Sequence, residues 1–372
     1  LKRERLWSQE THMVPIRKAV IWAALILLSA VLAVVLQWVS LPAATLLGPM
    51  LVGMIFALRG VNLTVPRWAF TGGQSVVGCM VALTMTPSIL AALIRNWPAI
   101  FFAIALVILF GALVGHGLMR FGSLPGNTAA WGTSPGGAVA MMAMAESFGA
   151  DIRMVAFMQY LRVFVVVLTA SALSHLLLGG HAGDLPAPTW SPGLDVPPIP
   201  LVQTLGLVAA GIVIGRMGRI PAGALLLPMV VGAVLNSLGW MHIALPPWLL
   251  WAAYASLGWY IGLRFTPETL RYTVRVLPQL LLSVLILMAL CGLAAWMLTV
   301  WADVDPLTAY LATSPGGLDS IAIIAADSGC DLAFVLSLQT LRLFSVVLTG
   351  PLVARLICRI NGRSACGMAS GM

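Results

Sequence analysis

Two arginines, Arg162 and Arg342, lie 180 positions apart in the middle of apolar stretches, and each follows a glutamine, Gln159 or Gln339, by three residues. That spacing puts amide and guanidinium on one face of a helix. An arginine at membrane depth is costly and by default marks a pathway or a paired functional group. The second feature is Thr133-Ser134-Pro135-Gly136-Gly137, which recurs letter for letter as Thr313-Ser314-Pro315-Gly316-Gly317. Proline lacks an amide hydrogen and clashes with the preceding turn, and paired glycines leave the backbone loose, so each copy should break a helix. A helix that restarts beyond the break aims its first unsatisfied amides at it, which attracts anions and polar oxygens. The chemistry implied is recognition of a small polar or anionic solute. The candidate binding residues are Thr133, Ser134, Gly136, Gly137, Gln159 and Arg162, with Thr313, Ser314, Gly316, Gly317, Gln339 and Arg342. The same pattern admits another role for each arginine, donation to carbonyls freed by the break, and both roles can hold at once.

Asp319, two residues past Gly317, aligns with Val139 in the other copy and so breaks the symmetry. It is the candidate for an intramembrane proton or cation site, or for the salt-bridge partner of an arginine. Asp151 and Asp331 suit N-caps of the arginine-bearing helices, whereas Glu146 and Asp327 fall near hairpin ends and read as interfacial. The five histidines have no metal-ligand spacing, and the five cysteines read as small buried apolar residues. No P-loop, dinucleotide fingerprint or nucleophile elbow occurs, so neither cofactor, metal nor catalytic residue is expected, and the chain does not read as an enzyme.

The elements that position these residues should be membrane helices. The chain of 372 residues is 60% apolar and 9% charged, with mean hydropathy +1.00, outside the range of soluble domains. Runs such as Ala19 to Val39, Pro98 to Met119 and Pro278 to Val300 reach the roughly 20 residues that cross a hydrocarbon core of about 30 Å. The leader before them carries five basic residues, but the following apolar run is too long for a cleavable signal. The formal charge of +8 is spread beside apolar runs, as positive-inside topology requires, and not clustered as nucleic-acid binding requires.

Offset by 180, 17 of the 37 pairs from Thr133/Thr313 to Thr169/Thr349 are identical, a true internal repeat. Each half holds six apolar segments. If the fifth crosses the membrane, loop Lys and Arg divide 11 inside to 7 outside; if it enters and returns, each half has five spans, the halves are inverted, and the division becomes 17 to 1. The positive-inside rule prefers the second arrangement. The expected fold class is an all-α polytopic membrane protein of two inverted repeats, each five transmembrane helices plus one re-entrant or broken hairpin. Residues 1–18 form a cytoplasmic leader, 19–178 repeat 1, 179–198 an external linker, 199–360 repeat 2 and 361–372 a cytoplasmic tail. Gly78 with Ala82, and Gly258 with Gly262, should permit close helix approach. Breaks at matching points of two repeats are a sequence pointer to a transporter's binding site.

The doubled Thr-Ser-Pro-Gly-Gly, each copy followed by Gly-x-Asp and the Gln-x-x-Arg span, resembles the AbrB-duplication membrane family over nearly the whole chain. Members carry labels of ammonia monooxygenase or of regulator of gene expression, a name shared with an unrelated small DNA-binding protein. An oxygenase needs clustered metal ligands, which the sparse histidines do not offer, and direct DNA binding needs a soluble basic module. The expectation is therefore a bacterial inner-membrane protein with both termini cytoplasmic, a secondary transporter whose partners are lipid and a small solute and not nucleic acid. Self-association into a homo-oligomer is compatible with it. The alternative is a membrane-embedded sensor or interaction protein that acts on gene expression indirectly.

Overall fold

Backbone polar groups inside a bilayer must be satisfied within the chain, which leaves helices or closed barrels. The computed structural model describes residues 15–38, 44–85, 94–122, 124, 126–178, 198–217, 222–317, 321, 325 and 330–360, and their regular structure is helical throughout. The first half supplies α1 (Pro15–Trp38), α2 (Ala44–Leu58), α3 (Arg67–Leu83), α4 (Trp97–Phe121), α5 (Gly126–Thr133), α6 (Ala138–Ser147) and α7 (Ile152–Leu178). The second supplies α8 (Pro198–Met217), α9 (Gly223–Ser237), α10 (Pro247–Gly262), α11 (Pro267–Ala302), α12 (Pro306–Thr313) and α13 (Leu332–Ile360). Six of these, α1, α4, α7, α8, α11 and α13, are long and apolar enough to cross a membrane, which identifies a multi-pass helical membrane protein. The leader up to residue 14, the linker over 179–197 and the tail over 361–372 lie outside the described residues, as do Asp319 and Asp327.

Two features depart from the segment lengths read from sequence. The helices α2, α3, α9 and α10 have 15, 17, 15 and 16 residues, or about 22–26 Å at 1.5 Å per residue, less than the hydrocarbon thickness. Glycines at positive φ, Gly60 and Gly239, stop α2 and α9, and Pro66 and Pro246, both extended, delay the start of α3 and α10. Conversely, α11 begins at Pro267 rather than near Pro278 and runs 36 residues, because Thr266 caps it, its side chain accepting from the Thr269 amide at 3.2 Å. Pro278 is accommodated inside the helix.

Exchanging the two halves preserves the packing pattern. The closest neighbour of α2 is α10, and reciprocally that of α3 is α9; α1 lies on α2 as α8 lies on α9; α4 packs on α11. Small residues set the first two contacts. A methyl group on Gly78 would fall 2.5 Å from the Leu225 carbonyl oxygen, and one on Gly258 would fall 2.7 Å from that of Leu46. Gly262 meets the Met50 backbone still more closely. The small pairs read from the sequence therefore serve contacts between the halves. Directions follow from which ends meet. Gly78 and Gly232 of α3 and α9 touch Leu225 and Ala82, so these helices run parallel. Phe102 at the start of α4 meets Trp301 at the end of α11 at 5.2 Å, and Phe70 early in α3 stacks on Tyr260 late in α10 at 3.9 Å, so those pairs run antiparallel.

Polarity is distributed as lipid solvation demands. Leu27, Phe101, Leu109, Leu282 and Leu293 point outward, whereas Gln159, Arg162, Gln339 and Arg342 are buried. Trp68 and Trp248, 180 positions apart, are both exposed at helix starts, the level of an interfacial aromatic belt. Replacing Gly78 with Val should lower the thermal midpoint of the detergent-solubilised protein, with a cost of about 1–3 kcal/mol, since backbone and not a flexible side chain occupies the space. Gly292→Ala, at a helical site with nothing near the new methyl, should leave the midpoint unchanged or slightly raised.

Candidate functional site

The helix α5 stops at Thr133 and α6 restarts at Ala138, with Pro135 between them. In the second half α12 stops at Thr313, and Ile321 donates its amide to the Gly317 carbonyl at 3.0 Å, as Met141 does to Gly137 at 2.9 Å. The breaks predicted from Pro-Gly-Gly are present at matching positions. Their glycines do not use the left-handed region: none of Gly136, Gly137, Gly316 and Gly317 is among the glycines of positive φ. They are needed for closeness instead. A methyl on Gly136 would approach Val346 Cγ1 to 3.1 Å, and one on Gly316 would approach Val166 Cγ1 to 3.0 Å. Each tip thus rests on the arginine-bearing helix of the other half.

Carbonyls at the end of a broken helix lack amide partners. Gln159 and Arg162, from α7, supply them. Gln159 Nε2 donates to the carbonyls of Trp131 (3.0 Å), Gly132 (3.2 Å) and Ser134 (3.2 Å). Arg162 Nη1 donates to Ser134 O at 2.8 Å, and Nη2 to Gly136 O at 3.0 Å and to Gln159 Oε1 at 2.6 Å. In the second half Gln339 Nε2 donates to Leu311 O (2.8 Å) and Ser314 O (3.1 Å). Arg342 Nη1 donates to Ser314 O at 2.7 Å and Nη2 to Gly316 O at a longer 3.5 Å. Both arginines are the eleventh residue of their helices, counted from Ile152 and Leu332, about 15–17 Å of rise, which puts them near the middle of the candidate spans Ile152–Thr169 and Leu332–Leu352. The bracing role of the arginines is therefore occupied in the structure. Each keeps one buried donor unpaired among the described residues, Nε.

The hydroxyls expected at the site are turned to their own helices. Thr133 Oγ1 donates to Ala129 O, Ser134 Oγ to Ala130 O and Ser314 Oγ to Leu311 O. Thr313 Oγ1 lies 2.9 Å from Ala309 O and 3.1 Å from Cys291 O. Their oxygens remain acceptors, but their protons are committed in this conformation. Cys291, buried on α11, offers its carbonyl to Thr313 Oγ1, and the contact of each tip with the other half's arginine helix brings the two halves of the site together. Among the described residues the ion pairs are Arg153–Asp151 at 2.9 Å and Arg264–Glu146 at 3.2 Å, and neither involves a central arginine. Asp319, the candidate coupling residue, lies outside the described residues.

The N-terminal aspartates behave as caps: Asp151 Oδ1 accepts from the Arg153 amide and Asp331 Oδ1 from the Phe334 amide, each at 3.0 Å. Burial pushes the Asp151 carboxyl up, but the hydrogen bond and charge of Arg153 outweigh it and hold it below its usual value. Glu146 was legible only as interfacial. It joins α6 to the second half, accepting from Tyr260 Oη at 2.6 Å and from Arg264 Nη1. The available signal was a broken symmetry, since Ala326 stands 180 positions on. Among the described residues no three His, Cys, Asp or Glu side chains stand together as a metal site.

With this geometry in hand, the chain can be set beside known proteins. Residues 45–358 match the family model described as "Transition state regulatory protein AbrB". A protein of Escherichia coli (strain K12) named "Putative regulator AbrB" is 48% identical over 337 residues, 90% of this chain and 96% of that one. A Bacillus subtilis (strain 168) protein named "Uncharacterized protein YhjN" is 27% identical over 316 residues, 82% of this chain and 81% of its own.

If the forks brace the breaks, Arg162→Ala should cost about 2–4 kcal/mol, because it strands the Gly136 carbonyl and removes charge-assisted bonds. Arg162→Lys should fall between, keeping the charge but losing the two-pronged geometry. Thermal unfolding in detergent measures both, and an unchanged midpoint for Arg162→Ala would remove the bracing role.

Proposed function

The chain belongs to the AbrB family, and from that premise we propose that it is a secondary transporter, carrying a small anionic or polar solute across the bacterial inner membrane by alternating access of two inverted repeats. The observation that carries this reading is the central pair of braced helix breaks, each tip resting on the other half's arginine helix, where two buried guanidiniums have no carboxylate partner among the described residues. Broken helices at membrane depth persist only within protein or along a water-filled cavity, and matched breaks at a repeat interface are where transporters bind solute. Two positive charges without a carboxylate partner among the described residues favour an anion, and the Nε donors of Arg162 and Arg342, unpaired among those residues, are the groups that would meet it.

The inverted arrangement, five spans plus a broken hairpin per repeat, has two supports. Counterpart helices such as α4 and α11 pack antiparallel, as an axis in the membrane plane requires and an axis along the normal forbids. The 17-to-1 charge division then puts both termini in the cytoplasm and the 179–198 linker outside. Asp319 is assigned the coupling of solute to a proton or cation. A second reading, a membrane-embedded sensor that affects gene expression indirectly, draws its support from the word regulator in the E. coli relative's name.

Thermal shift against a panel of small carboxylates, phosphate and sulfate should reveal a stabilising anion, since a ligand of the native form raises apparent stability. The same anion should cross proteoliposome membranes, Arg162→Lys and Arg342→Lys should lose both effects, and Asp319→Asn should lose coupling alone. Absence of binding and flux across the panel, with a protein partner recovered instead, would favour the sensor. A cysteine introduced into the 179–198 linker should react from outside intact cells; reaction only after permeabilisation would sink the inverted topology.

A further inference from the structure

The two hairpin mouths are built differently, and the difference resides in the sequence. At the first, Glu146 at the end of α6 accepts from Tyr260 Oη (2.6 Å) and Arg264 Nη1 (3.2 Å). The Arg264 guanidinium lies 3.8 Å from the centre of the Tyr260 ring. Arg153, at the start of α7, donates through Nη1 to the Arg264 carbonyl at 2.8 Å and pairs with Asp151 at 2.9 Å. Nearby, the Ala222 amide donates to Ser147 Oγ at 2.9 Å. These contacts tie the hairpin of the first half to α9 and α10 of the second. Behind them Leu118, Leu124, Met154, Val276 and Leu280 close an apolar cluster.

The counterparts of Glu146, Arg153, Tyr260 and Arg264, 180 positions away, are Ala326, Ala333, Met80 and Thr84, none of them charged. The apolar plug also changes: Val276 and Leu124 correspond to Asn96 and Val304. Around Asn96, Asp303, Asp305, Asp331 and Phe334 the second mouth holds a polar cavity of about 350 Å³. Among the described residues the first mouth is cross-linked over an apolar cluster, whereas the second is lined by carboxylates around a cavity.

We propose that Glu146, Tyr260, Arg264 and Arg153 form a latch between the halves that holds the first-hairpin mouth shut, and that its release opens the centre to that face. The side chains of Arg264 and Glu146 are 43% and 23% exposed. An ion pair this wet is weak alone, and with the stacked cation the set should shift the closed-to-open ratio about tenfold, strong enough to bias and weak enough to release. The proposal rests on alternating access, yet it can be tested without a solute.

The reporter is Cys291, buried on α11 with its carbonyl 3.1 Å from Thr313 Oγ1 at the second break, in a chain whose other cysteines are replaced by serine. A membrane-impermeant thiol reagent is applied to vesicles of each orientation, and Arg120→Cys, exposed at the same mouth, reports which orientation presents the first-hairpin face. Glu146→Gln and Arg264→Ala should each raise the labelling rate of Cys291 about tenfold in that orientation alone, while Arg264→Lys, which keeps the charge, should recover most of the protection. No change in both single variants, a rise from both faces, or Arg264→Lys as reactive as Arg264→Ala would each overturn the latch. Failure to find any transported solute, with the one-sided rise intact, would sink the transport reading and leave the latch standing.

Discussion

A carbonyl with no amide to meet it is the constraint on which the rest of this structure depends. Breaking a helix in the middle of a membrane frees several, and neither lipid nor the proline at the break can pair them. Arg162 with Gln159, and Arg342 with Gln339, answer from continuous helices that pass beside the tips. The cost of burying a guanidinium and the cost of freeing carbonyls offset one another, since charge-assisted bonds are the strong ones. That exchange requires α7 and α13 to hold their arginines at the depth of the breaks. It also forces the glycines at the tips, because each tip must lie against the opposite arginine helix.

Much of this arrangement was legible in the chain. The repeat in sequence, the breaks, the level of the arginines relative to the breaks and the aspartate caps rest on letter identity, on proline's missing amide and on helical rise, all local properties. The small residues at Gly78 and Gly258 signalled close approach but not its partners, because the contact with α9 or α2 joins residues of different halves. The start of α11 was hidden by Pro278, which reads as an N-terminus but sits in a helix already begun at the Thr266 cap. Orientation of hydroxyls was not legible: Thr133 and Ser134 choose between backbone and solute by packing, which no motif records. The Glu146 network escaped because Tyr260 and Arg264 stand 114 and 118 positions away.

The interior and the mouths obey different rules. Where the backbone itself must be paired, both halves keep the same residues in the same register. At the hairpin ends, where no freed carbonyl has to be paired in this way, the residues differ in charge and in size. Function that depends on sidedness belongs in the second class, and binding that depends on a two-fold centre belongs in the first.

The reciprocal packing of α2 on α10 and α3 on α9 bears on how such a molecule could have arisen. A half cut after α7 would carry uncovered faces whose complement is a second copy of the same half running the opposite way. An ancestor of half the length would thus be an antiparallel homodimer, able to enter the membrane in either sense. In such a dimer every residue occurs at both mouths, so an arginine latch on one is a latch on the other. Only when two such halves are joined in one chain can one face become unlike the other.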